Sequence, residues 1–147
     1  MVISFSDTDF DGVQTPHDDT MVITLTTVNF KVKSVLVDNG NSANIMYYSI
    51  FEKMKLGDDS LIPMDSPLYG FSGEPIRVKG AIELPVTAGT TPRQSTIMVR
   101  FLVIKLPSAY NLVLGRQNLN TLGAFVSAPH MKMKFPTASG VGEVRGD

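Results

Sequence analysis

The chain has 147 residues, enough for one domain with a modest core, and its net charge of −1 with scattered Lys and Arg leaves no basic field for direct nucleic-acid binding. Cysteine is absent, which excludes disulfides, thiolate catalysis and Cys-based metal centres, and points to an intracellular, cytoplasmic setting. No apolar run approaches the ~20 residues a membrane span needs, and the first residues lack the basic and apolar regions of a secretory leader.

Residues 1–19 carry Asp7, Asp9, Asp11, Asp18 and Asp19 with no Lys or Arg, and read as a flexible, solvated acidic lead-in. His17 beside Asp18 and Asp19 makes a poor zinc set, so no metal is assigned. Met21 to Thr26 and Phe30 to Lys33 then predict a hairpin turning at Val28-Asn29. The second arm continues into Val35-Leu36-Val37, an apolar triplet expected to be a strand buried on both faces, and it delivers Asp38 into the polar stretch Asn39-Gly40-Asn41-Ser42. A charge at the end of such a strand is costly unless paired or used, which makes Asp38 a candidate for chemistry. The competing reading is a plain hairpin turn, because Asp, Asn and Gly all tolerate positive φ.

Tyr47, Ile50, Phe51 and Met54 fall at helical spacing, with Ser42 or Asn44 as the expected cap. Gly57 to Ser60 breaks that pattern, and Pro63 and Pro67 keep the chain extended. Leu68 to Leu84 predicts a long hairpin whose tip is Ser72-Gly73-Glu74-Pro75, closed by Pro85 and by Ala88 to Pro92. Ile97, Val99, Phe101 and Val103 alternate as the next strand. Leu112-Val113-Leu114 is a short apolar strand running into Gly115-Arg116, with a helical turn or two implied by Leu119 and Leu122. Met131, Met133 and Phe135 alternate with Lys132 and Lys134 as a last strand. Residues 137–147 hold Gly140, Gly142 and Gly146 and read as an unpacked tail. The domain is therefore placed at residues 20–136. Many short strands with one or two short helices predict an all-β barrel or sandwich.

An apolar strand ending in Asp-x-Gly, a helix, a glycine-bearing hairpin and then Leu112-Val113-Leu114-Gly115-Arg116 form an order that resembles the retropepsin-like aspartic proteases. Val37 to Ile45, Ser66 to Gly73, Leu84 to Gly89, Pro107 to Asn111 and Lys132 to Pro136 look like the protease segment of plant gypsy-type LTR retrotransposon polyproteins. Gly12 to Asp19 extends that likeness into the lead-in. The resemblance implies a β-barrel subunit working as a homodimer, without cofactor, on an extended peptide of a polyprotein. Asp38 is the catalytic residue it implies, supported by Asn39, Gly40, Asn41, Ser42, Leu114 and Gly115. Gly70, Phe71, Ser72 and Gly73 would form the tip of a flap over the substrate, and Arg116 a salt bridge or dimer contact.

Two departures stand out. The family pattern has Ser or Thr after the Asp and Ser or Ala after the Gly, where this chain has Asn39 and Asn41. Those amides are bulkier than hydroxyls, and they motivate an alternative: an inactive retropepsin-fold module for dimerisation or peptide binding, or a degraded retroelement copy. The chain also stops where a polyprotein would lead on, so it reads as a fragment. A third reading is an unrelated β-barrel binding domain, which a structure lacking the Asp38 loop against the Leu112 to Gly115 strand would favour. A Ser-His hydrolase would take Gly40-Asn41-Ser42-Ala43-Asn44 as a nucleophile elbow, but the last Gly is missing, His17 or His130 would have to serve as base, and no second motif supports it.

Overall fold

The computed structural model describes residues 21–64, 68–69, 75–127 and 130–147. The acidic lead-in and the expected flap tip at Gly70, Phe71, Ser72 and Gly73 lie outside them. Six strands close a barrel in the order β1-β2-β8-β3-β7-β6: β1 (Val22–Thr27), β2 (Phe30–Asp38), β3 (Asn44–Tyr47), β6 (Val78–Thr90), β7 (Arg93–Ile104) and β8 (Leu112–Gly115). Two strands, β4 (Leu68–Tyr69) and β5 (Pro75–Ile76), make a small hairpin, while β9 (Phe125–Ser127), β10 (Lys132–Thr137) and β11 (Gly140–Arg145) form a separate sheet. The helices are short: α1 (Tyr48–Lys53) and α2 (Arg116–Leu122).

The hairpin at Val28-Asn29 forms as expected, with φ of 48° and 65°, the double positive φ of a two-residue turn that matches strand twist. Ile23 and Leu25 of β1 and Val32, Val35 and Val37 of β2 point into the main core. The spacing from Val32 to Val35 breaks strict alternation. A bulge resolves it: Leu25 pairs with Val32 and Ile23 with Val35, so Lys33 and Ser34 together face Thr24, and Ser34 takes φ 58°. The bulge re-aims the strand so that Val35 and Val37 stay inward while Leu36 packs against a second cluster of Ile45, Ile104 and Val113.

Four expectations need correction. Neither Ser42 nor Asn44 caps α1: its N-cap is Tyr47, and Asn44 lies in β3 because β3 pairs with both β7 and β8. Pro85 does not end its strand. Only β7 flanks β6 at that point, β1 joining from Val86 on, so a missing N–H is tolerated there. Residues 137–147 are not an unpacked tail, for β11 pairs with β10 from Lys132↔Arg145 to Thr137↔Gly140. The glycines that look like breaks serve close packing: a Cβ on Gly142 would lie 2.7 Å from the Phe135 ring and 2.8 Å from the Arg93 carbonyl. Finally, the alternation of Lys132 and Lys134 with apolar residues does not separate the strand into one buried and one exposed face: Lys132 is itself buried, with Nζ 4.0 Å from a Glu143 carboxylate oxygen.

Candidate active site

β8 is buried along its whole length and lies between β2, parallel to it, and β3, antiparallel to it. The register runs Val35↔Leu112, Leu36↔Val113, Val37↔Leu114 and Asp38↔Gly115. Leu112 and Leu114 fill the main core, and Val113 turns to the second cluster. What sets this register is Asn111. Its N–H donates to the Ser34 carbonyl at 2.9 Å, its side-chain amide to the Lys33 carbonyl at 2.7 Å, and its own carbonyl accepts the Tyr47 N–H at 3.1 Å. The β2 bulge thus supplies the acceptors that dock the start of β8.

The arrangement removes the plain hairpin reading of Asp38. The strands on either side of its turn, β2 and β3, pair with β8 rather than with each other. Asp38 is half-buried, with Asn39 and Gly40 exposed. Within the loop, the Gly40 N–H donates to Asp38 Oδ1 at 3.0 Å and the Asn41 N–H to the Asp38 carbonyl at 3.3 Å. No other hydrogen bond or ion pair engages the carboxylate among the described residues.

Asn41, one of the two unusual residues, is absorbed by the loop. Its Oδ1 accepts the Ala43 N–H at 3.0 Å and its carbonyl accepts the Arg116 N–H at 2.9 Å. Gly115 sits under this crossing: a Cβ there would lie 2.6 Å from the Ala43 carbonyl oxygen and 2.7 Å from that of Asn41. The structure therefore brings together Asp38, Asn39, Gly40, Asn41, Ser42, Leu114 and Gly115. Arg116 is exposed, and no ion pair engages it among the described residues.

Sequence reasoning missed Asn44, Asn111 and Asn118. The Asn44 carboxamide is buried, accepts the Gly115 N–H at 2.7 Å through Oδ1, and donates to Asn118 Oδ1 and, at 3.5 Å, to the Arg100 carbonyl. A lone polar residue in an apolar strand was the available signal: Asn44 opens Asn-Ile-Met-Tyr, and Asn118 sits beside Leu119.

The return strand of the flap-like hairpin is moored below its tip. Leu68 pairs with Ile76 and Tyr69 with Pro75. Further down, Lys79 Nζ lies 3.7 Å from Asp58 Oδ2 and 4.9 Å from the centre of the Tyr48 ring, and the Tyr48 hydroxyl donates to Asp58 Oδ1 at 2.7 Å. That hydrogen bond, then desolvation, then the Asp58 charge raise the Tyr48 phenol above its ordinary range. The Ser-His reading does not gain support: His130, at the start of β10's sheet, hydrogen-bonds Ser127 of β9, and His17 lies outside the described residues. Among the described residues no three His, Asp or Glu side chains gather as a metal site. No helix there is long and apolar enough to cross a membrane.

In backbone geometry the chain is similar to the retroviral protease-like domain of Ddi1 from Leishmania major, with a TM-score of 0.61 and 20% identity over 86% of this chain and 94% of that one. The fold is retropepsin-like. A second retropepsin-like neighbour is EIAV protease in complex with the inhibitor HBY-793, at TM-score 0.52 and 20% identity, covering 78% of this chain and 99% of that one. A retropepsin-like aspartic protease from Rickettsia conorii matches at TM-score 0.49 and 15% identity over 84% and 80% of the two chains. No family model and no curated protein matches the sequence.

Proposed function

We propose that this chain is one subunit of a homodimeric aspartic endopeptidase, in which Asp38 of each copy contributes half of the catalytic pair. The observation that carries the reading is the place of Asp38: a weakly engaged carboxylate at the end of β2, level with Gly115, in a retropepsin-like barrel. Two carboxylates about 3 Å apart do not both ionise cheaply, so the pair shares a proton. The ionised member takes a proton from water, which attacks the peptide carbonyl, while the other protonates the carbonyl oxygen; the gem-diol so formed then collapses, breaking the C–N bond as the carboxyl that took the proton returns it to the leaving nitrogen. No acyl-enzyme forms. The hairpin that begins with β4 and β5 supplies a flap whose backbone pairs with an extended substrate and excludes water, while the rest of the expected arm, from Val78 on, is strand β6 of the barrel. The five ordered blocks of resemblance make a gypsy-type retroelement polyprotein, processed inside the cell, the natural substrate.

The test is cleavage of peptides by the purified chain at acidic pH. Turnover blocked by a statine-type inhibitor and lost in Asp38→Asn is the expected result, and a stable dimer without turnover would overturn it. A second reading, a retropepsin-fold module without turnover, rests on Asn39, exposed at the loop where a small hydroxyl is usual. Asn39→Thr discriminates, since activity gained only on that change would favour the inactive module. Asn41 adds little to the second reading, because its carboxamide oxygen is already engaged within the loop by the Ala43 N–H.

A further inference from the structure

A buried carboxamide costs stability unless both its ends are bonded, and replacing a bonded polar pair by apolar side chains of similar shape is often nearly neutral. Asn44 and Asn118, at 7% and 8% exposure, are therefore not needed to fill space in an apolar barrel. What they do is join four pieces of chain. Asn44 in β3 accepts from Gly115 where β8 becomes α2, and donates to Asn118 in α2 and to the Arg100 carbonyl in β7.

Gly115 is the residue level with Asp38, and its neighbour Arg116 holds the Asn41 carbonyl of the Asp38 loop. We propose that Asn44 and Asn118 are positioning residues for Asp38: their carboxamide clasp fixes the Gly115 corner, and that corner sets where the loop holds its carboxylate. The clasp touches no reacting atom. Its catalytic consequence rests on the endopeptidase reading, whereas its effect on the Asp38 carboxyl does not.

The clasp is also open to substitution. A surface cavity of about 410 Å³ lies against it, lined by Ser42, Asn44, Arg100, Gln117 and Asn118 among others, so Asn118→Leu has space to enter without colliding. In that variant the Asn44 amide loses its side-chain acceptor and donates only across the longer Arg100 contact, while its Oδ1 still faces the Gly115 N–H. Asn118→Asp keeps the acceptor.

The experiment measures peptide kcat and KM, the melting midpoint, and the carbon NMR resonance of the Asp38 carboxyl in the full chain. For Asn118→Leu we expect a kcat about tenfold lower with KM within about twofold, and an Asp38 carboxyl resonance displaced from that of the wild type. Asn118→Asp should recover most of both. If Asn118→Leu does not fold, Asn118→Ser, whose hydroxyl stops short of the Asn44 amide, takes its place with the same expectations. An unchanged kcat and Asp38 resonance in the variant that folds would overturn the proposal, as would a loss that Asn118→Asp does not rescue. Should the wild type cleave nothing, the endopeptidase reading fails, while the Asp38 resonance still judges the clasp.

Discussion

At the residue scale, Gly115 shows why a position with ordinary backbone angles can still exclude a side chain. Two carbonyl oxygens of the Asp38 loop occupy the space where its Cβ would stand. Gly115→Ala must push that loop outward, an overpacking cost of about 1–3 kcal/mol. A melting midpoint lowered by roughly 2–4 °C for each kcal/mol, with peptidase activity falling further than stability alone explains, is the expected outcome. An unchanged midpoint would mean that the loop moves freely. Tyr48 makes a different prediction. Its folded-state phenol titrates above its unfolded value, chiefly because it donates to Asp58, so the bond's contribution is complete below the unfolded pKa and is lost as pH rises through the folded one. The phenolate absorbance titration of the wild type minus that of Tyr48→Phe should report the raised value, and Asp58→Asn should bring it back down.

Elements were legible where a local pattern decides them. The β1-β2 turn, the strand before Asp38, the apolar strand Leu112-Val113-Leu114 and both short helices follow from alternation or helical spacing, since burial of one face dictates the residue types. What local pattern does not carry is pairing between distant segments. The parallel match of β2 with β8 depends on Asn111 reading the carbonyls of a bulge that strict alternation does not anticipate, and β11 looks like a tail in sequence because glycine signals both a break and a close approach. Asp38, Gly40 and Gly115 could be singled out from sequence, yet the Asn44-Asn118 clasp beneath them could not, because it joins residues 74 apart. The β1-β2 turn also contains a conflict. Val28 takes φ 48°, a conformation costly for a β-branched side chain, while packing against the core. Val28→Asn should relieve the backbone and raise stability by about 1 kcal/mol, seen as a higher denaturant midpoint at unchanged slope. A lower midpoint would show that the Val28 contact outweighs the strain.

For the whole molecule, the barrel presents one Asp38 loop per chain, and the proposed chemistry needs two. Folding and catalysis are then separable. The closed six-stranded barrel and the β9-β10-β11 sheet bury the core within a single copy, while the proposed active centre would exist only in an assembled pair. Activity per chain measured across a dilution series, alone and with Asp38→Asn chains added, tests this most directly. The account predicts that specific activity falls on dilution and that the Asp38→Asn chains poison the wild type by forming mixed pairs. Specific activity independent of concentration and indifferent to the added variant would contradict it.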